Sequence, residues 1–441
     1  MSDNVDMAPS TEPGQTWTRR LLSPFAILLY VYFVYFAVAY SRLYAYVPIG
    51  LKNLGTRIVG FQPSAQTLGL YVWGAVVLIL GFQMGTALAA WAGRRPIELD
   101  PGLQKVIARL GARLQKWRPV RSLGLGFALS LLGWGVALAA NGSQVLASGA
   151  VSLISIATRW AQSPVLVWIA ALQIIFVPAL MVFASGRRQR VLAVAAFLVS
   201  VLALGLLGAR NLPAKLIVSG FLAVVYVAKP KTIVRIAVAL LVLLVLAMGV
   251  IGSVSKSGIY GASASTELAV ALVYSDSVGT AYNLDRIVRI TPPTGVYGGK
   301  LLVDSALAAV PGVDAEYANY QLGSYLQGRT SFTIDGERID RSVSLAPTLL
   351  GAPYADWGVP GVAIQMLLLG ALFGYLQTRS RDMLLMVPVL AAMASYVING
   401  VNAGVHNPHG IIIIGLAVIL VLGDLALYPR VTPASDAGKE V

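Results

Sequence analysis

Acidic and basic residues crowd into one stretch of this chain. Ten of its 19 carboxylates fall between residues 267 and 356: Glu267, Asp276, Asp285, Asp304, Asp314, Glu316, Asp335, Glu337, Asp340 and Asp356. Lys256, Arg286, Arg289, Lys300, Arg329, Arg338 and Arg341 share that region. Taken singly, each is most simply a solvated loop residue, because exposed ion pairs contribute little. Arg210 differs. It sits in Gly208-Ala209-Arg210-Asn211 between two apolar runs, with Lys215 one turn later. That places it at the outer tip of a tight helical hairpin. A guanidinium there either snorkels to headgroups or binds an anion at the membrane surface, and its fork suits a diphosphate.

The elements that carry these residues are set by composition. The chain of 441 residues is 57% hydrophobic and 12% charged, whereas about a quarter of a soluble domain is charged. Apolar runs long enough to span a bilayer recur throughout. They place spans at 22–40, 67–92, 122–140, 164–184, 191–208, 212–228, 232–252, 357–377, 383–400 and 410–428. The fold class is therefore all-α, a polytopic transmembrane bundle of about ten spans, because unpaired backbone groups are not tolerated in hydrocarbon. Nothing shows the alternation of a membrane barrel strand. There are no cysteines, which excludes disulfides, thiolate chemistry and Cys-based metal sites.

A net charge of +14 reads as topology, not nucleic-acid binding, because the cations cluster in short loops. Alternation puts 20 of 33 Lys+Arg on the side of Arg19, Arg94, Arg188, Lys229 and Arg381, and 13 on the other. Both termini then face the cytoplasm. Residues 1–18 and 431–441 are polar tails, and 19–430 form a single transmembrane domain. Arg19-Arg20 followed by an apolar run ending in Ala37-Val38-Ala39 has signal-peptide features, but the aromatic-rich run 30–40 reads as a retained anchor. The segment 101–121 has apolar residues at helical spacing among basic ones, as an interfacial helix on anionic headgroups does.

On the outer side one loop, 253–350, runs for nearly a hundred residues. A loop of that length is usually functional. It holds helical stretches, the turn Pro292-Pro293-Thr294-Gly295 and the pair Gly298-Gly299. No Asp or Glu occurs between Asp100 and Glu267, and ion-coupled transporters depend on carboxylates within their helices. The charged loop favours an enzyme.

Near the C-terminal end of this loop come Pro347-Thr348-Leu349-Leu350-Gly351, then Tyr354-Ala355-Asp356-Trp357-Gly358, and an apolar span with Gly370 and Gly374. The order resembles the signature of oligosaccharide repeat-unit polymerases, the Wzy-type O-antigen polymerase family. Gly208-Ala209-Arg210-Asn211 resembles the family's Gly-Ser-Arg-Gly hairpin, and Val296-Tyr297-Gly298-Gly299-Lys300 its Tyr-x-Gly stretch before a proline. The similarity covers roughly residues 190–380. Ala352-Pro353 replaces the acidic residue that often follows the glycine in the family. His406-Asn407 lies in the short loop after the ninth span, whereas O-antigen ligases carry their His-Asn pair in the large loop.

The resemblance implies a GT-C-like membrane glycosyltransferase of the bacterial inner membrane. Its substrates would be undecaprenyl-diphosphate-linked glycans, one as donor and one as acceptor, with a chain-length regulator and a flippase as partners and no nucleic acid. Developing charge on the lipid diphosphate needs a metal or fixed cations. Residues 41–66 hold no Asp or Glu to ligate a metal in the first outer loop, so arginines are the expected clamp: Arg210 with Arg286, Arg289, Arg329, Arg338 and Arg341, without cofactor. Asp356, His406 and His409 are candidate bases for an inverting attack. Asp356 could instead cap a helix, and Asn407-Pro408 could be a turn. Tyr354 and Trp357 either stack on sugar or join the interfacial aromatic belt. An O-antigen-ligase-like transferase and a flippase for lipid-linked glycans are the competing readings.

Overall fold

The computed structural model describes residues 21–40, 63–92, 120–133, 164–206, 211–227, 235, 276–310, 313, 315–327, 329–334, 337–342 and 346–427. Among them are helices α1 (Pro24–Tyr40), α2 (Ala65–Ala92), α3 (Val120–Gly133), α4 (Pro164–Phe183), α5 (Arg187–Leu206) and α6 (Asn211–Val227). The large loop contributes α7 (Asp276–Ile290), α8 (Lys300–Leu307), α9 (Ala318–Gln327) and strands β1 (Arg329–Ile334) and β2 (Glu337–Ser342). The chain closes with α10 (Thr348–Arg379), α11 (Met386–Ala403) and α12 (Pro408–Leu427). Nine of the ten predicted spans coincide with α1–α6 and α10–α12; the other, 232–252, lies outside the described residues except for Arg235. Four helices, within α2, α10, α11 and α12, are long and apolar enough to cross a membrane by length and composition. The predicted interfacial segment before Val120, both tails and residues 253–275 are outside the described residues.

The apolar surface is arranged for lipid. Val72, Trp73, Val76, Leu80, Met84 and Leu88 on α2 are exposed, as are Ile364 and Leu368 on α10. What the bundle buries instead is close helix contact. A Cβ on Gly81 or Gly85 of α2 would collide with the carbonyls of Leu367 or Ala371, and one on Gly370 or Gly374 of α10 with those of Leu78 or Phe82. Small residues spaced by four let two backbones approach in this way, which drives association where lipid is as apolar as leucine. Gly370 and Gly374 of the sequence motif thus have a packing role.

The loop is not wholly helical. Arg329–Ile334 pairs antiparallel with Glu337–Ser342, with Ile334 opposite Glu337. The sequence between them is Asp335-Gly336, a dipeptide favoured in two-residue hairpins because it accepts positive φ. An expectation of short helices alone missed this signal.

The loop elements sit on one end of the bundle. The Ser64 amide and the Thr67 hydroxyl, at the start of α2, donate to Asp285 of α7 at 2.7 and 2.8 Å. Trp168 Nε1 of α4 donates to Ala309 O at 2.7 Å, and Asn283 Nδ2 of α7 donates to Ala346 O just before α10. Asn319 Nδ2 of α9 meets Ala403 O, where α11 finishes. Every one of these is a span end that charge alternation places outside. The opposite end carries Arg379 of α10, which grips Asp424 of α12 with two N–H···O bonds of 2.7 and 2.9 Å. Tyr375 donates to the same carboxylate.

Candidate functional site

The site is organised by a break in α10. Trp357 (φ −134°, ψ 17°) and Gly358 (φ 65°, ψ −145°) leave the helical region, and only glycine adopts the latter without strain. Pro360 has no N–H for the Asp356 carbonyl four residues back, and Val359 N–H is diverted to Pro293 O at 3.2 Å. Two carbonyls are therefore orphaned. The turn 295–299 claims them: Val296 and Tyr297 donate to Ala355 O, and Gly298 donates to Asp356 O at 2.9 Å. Gly295 and Gly299 have φ of 79° and 93°; a Cβ on Gly295 would strike the Asp356 carbonyl, and one on Gly299 the Trp357 ring. The two motifs Val296–Lys300 and Tyr354–Gly358, about sixty residues apart in sequence, interlock.

Asp356 completes the lock. Its carboxylate, buried at 1% exposure, accepts the Leu301 and Leu302 amides at 3.0 and 3.1 Å, capping the N-terminus of α8. A carboxylate there also meets the positive end of the helix dipole. Four residues along α8, the Ser305 hydroxyl donates to His406 O at 2.9 Å and accepts the Ala318 amide at 3.1 Å. One short helix thereby fastens the kink, the histidine connection 404–407 and α9. Ahead of the kink, Thr348 (φ 66°) bends the chain into α10, and its Oγ1 accepts the Leu350 and Gly351 amides. The Pro-Thr-x-x-Gly motif is a helix start, and Gly351 leaves room for Ile287 of α7.

Polar groups of α6, α9, α11 and the α11–α12 connection are buried as well. Lys215 of α6 is 7% exposed, and its Nζ stands 4.2 Å from the centroid of the Tyr396 ring. Tyr396 in turn lies parallel to the His409 imidazole, centroids 6.4 Å apart. Tyr396 Oη, Asn399 Oδ1, Asn319 Oδ1 and His406 Nδ1 are all buried with no hydrogen-bond partner among the described residues. Burial pushes His406, in the connection between α11 and α12, down to about 4. Its imidazole is neutral at physiological pH.

Comparison with known proteins decides the family. A family model described as "Putative O-antigen polymerase" matches residues 21–414. The chain belongs to the O-antigen polymerase family. No curated protein and no solved structure matches it. Membership makes it a multi-pass membrane polymerase of repeat units acting on lipid-linked oligosaccharides.

In this O-antigen polymerase family member, the candidates from sequence divide into groups. Asp356 and His406 are joined through α8, and His409 lies beside Tyr396. Arg286 and Arg289 share α7: the Arg286 guanidinium lies 5.7 Å from the Tyr282 ring, and the exposed Arg289 pairs with Asp285. Burial alone would raise Asp285, yet hydrogen bonds from Ser64, Thr67 and Arg289 hold it below the ordinary carboxylate range. Arg329, Arg338 and Arg341 belong to the hairpin, opposite Ser342, Thr333 and Thr330. Tyr354 is fully buried and its hydroxyl accepts from Gln66 Nε2 at 3.0 Å. Arg210 falls outside the described residues, immediately before α6. Among the described residues no three His, Asp or Glu side chains converge as a metal site. Sequence reasoning passed over Tyr396 and Asn399, although two polar residues one turn apart inside an apolar span were a readable signal.

Proposed function

We propose that the chain is a glycosyltransferase of the bacterial inner membrane. It polymerises undecaprenyl-diphosphate-linked oligosaccharide repeat units into a surface polysaccharide such as O-antigen, capsule or exopolysaccharide. Both termini are cytoplasmic and the loop bearing α7–α9 is periplasmic. A hydroxyl at the non-reducing end of the acceptor attacks the anomeric carbon of the donor glycan. The C–O bond to the diphosphate breaks with inversion, and the attacking hydroxyl yields its proton to a base. Arg210, with Arg286, Arg289, Arg329, Arg338 and Arg341, clamps the departing lipid diphosphate, and no metal is required.

Asp356, His406 and His409 remain the proton acceptors to consider. His406 is the best placed, because its Nδ1 has no partner among the described residues, while both Asp356 oxygens accept α8 amides. The single observation that supports the reading most is the seating of the charged loop helices on the span ends that carry these residues.

Purified protein supplied with one defined undecaprenyl-diphosphate repeat unit should build a ladder of chain lengths on a gel, with and without EDTA. Transfer of a single finished glycan to a non-isoprenoid lipid core would point to a ligase. Loss of the ladder in EDTA and its return with magnesium would refute the arginine clamp. Because the chain has no cysteine, single substitutions report sidedness cleanly. Lys300→Cys should react with an impermeant maleimide from the periplasm, and Asp382→Cys only after lysis; the reverse would turn the protein over.

A further inference from the structure

The buried charge of Lys215 is unexplained by the architecture. Among the described residues it has neither a carboxylate nor a hydrogen-bond acceptor, only the face of Tyr396. Leaving a cation in the interior without an ion partner is costly, and a fold that only needed to pack α6 against α11 would use methionine. His409 lies near the same tyrosine, its ring parallel to that of Tyr396 with centroids 6.4 Å apart. On α11 two polar atoms are equally unmatched among the described residues: Tyr396 Oη, whose ring faces Lys215, and, one turn on, Asn399 Oδ1.

These groups differ in what they need. Lys215 calls for an anion, but a phosphate at neutral pH offers almost nothing but acceptors. Asn399 Oδ1 is itself an acceptor and must meet a donor such as a sugar hydroxyl. One ligand that satisfies both carries charge and hydroxyl groups side by side.

We infer that Lys215, Tyr396, His409 and Asn399 form a buried site for a glycosyl phosphate, the junction of sugar and phosphate at the end of a polyprenyl diphosphate. The inference rests on the polymerase reading and deepens it. Arg210 precedes Lys215 by five residues in sequence, so the chain carries a second cation shortly before the buried one. The lysine takes the phosphoryl group next to the sugar. Tyr396 and Asn399 bind sugar hydroxyls, so the site distinguishes a loaded carrier from the bare diphosphate that leaves.

The test is binding to the full-length protein in nanodiscs of three probes: an undecaprenyl-diphosphate oligosaccharide, undecaprenyl diphosphate and undecaprenol. Lys215→Met should weaken both diphosphates by about tenfold to a hundredfold, the effect of one lost charged hydrogen bond, and leave undecaprenol unchanged. Its thermal midpoint should rise, since an unpaired buried charge is gone. Asn399→Ala and Tyr396→Phe should weaken the sugar-bearing ligand alone. Tyr396→Phe keeps the ring and removes an oxygen that has no hydrogen-bond partner among the described residues, so a purely structural role predicts no loss and the variant remains informative should Lys215→Met fail to fold. Wild-type affinity in Lys215→Met or in Tyr396→Phe overturns the inference while leaving the polymerase reading intact. Failure of the unaltered protein to bind either diphosphate overturns that reading instead.

Discussion

The two ends of the helix bundle handle buried charge in opposite ways. At the end where α10 and α12 finish, Arg379 and Asp424 are both nearly inaccessible, joined by two hydrogen bonds and backed by Tyr375. All of that polarity is spent within the protein. At the end covered by α7–α9, Lys215, Tyr396 and His406 are as deeply buried, yet Tyr396 Oη, His406 Nδ1 and Asn399 Oδ1 have no hydrogen-bond partner among the described residues and Lys215 meets only a ring face. A fold can hold a satisfied charge network for stability, whereas an unsatisfied one is a cost that persists only when something outside the chain offsets it. The contrast separates the part that fastens the membrane domain from the part proposed to meet the substrate.

The largest expected effect lies at the fastening end. Asp424→Ala leaves Arg379 buried without its partner and should destabilise the protein by about 3–5 kcal/mol, read as a lowered unfolding midpoint in detergent. Adding Arg379→Met should restore most of the loss. An unchanged midpoint for Asp424→Ala would erase the distinction between the two ends.

At the substrate end the expected signal is a pH dependence. His406 titrates near 4 in the fold, below its ordinary 6.5, so between those values the unfolded chain binds a proton that the native state refuses. Stability is therefore full above about pH 6.5 and falls as pH drops toward 4. His406→Gln should flatten that slope in thermal scans taken across the window. A slope that survives the substitution would place the titrating group elsewhere.

A smaller effect sharpens the boundary between anchor and base. Asp356→Ala removes the cap of α8 and should cost about 1–2 kcal/mol. Asp356→Asn retains an acceptor oxygen and should keep most activity. Equal and complete loss of polymerisation in both variants, each folded, would move Asp356 from anchor to proton acceptor.

Much of this was legible in the sequence, and the rest was hidden for identifiable reasons. Nine predicted spans match helices because runs such as 67–92 and 410–428 leave no other way to satisfy a backbone in lipid. The loop motifs were visible as motifs, but their physical roles were not. That Pro360 orphans the Asp356 carbonyl, and that the 295–299 turn collects it, depends on a contact between segments about sixty residues apart, which no local pattern announces. Asp356 as a cap was foreseen, although for the start of its own helix and not for α8. Lys215 and His409 were noted singly, but that they share the Tyr396 ring shows only where α6, α11 and α12 meet.

The central claim is that polymerisation depends on cations at the loop-covered end and not on the charges at the other. It is tested most directly by chain-length ladders from equal amounts of folded protein carrying Arg210→Ala or the double substitution Asp424→Ala with Arg379→Met. Loss of one charged donor at a desolvated diphosphate is worth on the order of 3–4 kcal/mol, so Arg210→Ala should elongate about a hundred- to a thousandfold more slowly. Arg210→Lys should fall between, keeping the charge but not the two-pronged grip. The double variant at the opposite end should build a normal ladder. Full-length glycan from correctly inserted Arg210→Ala would contradict the account, and the clamp would then have to be sought among Arg286, Arg289, Arg329, Arg338 and Arg341.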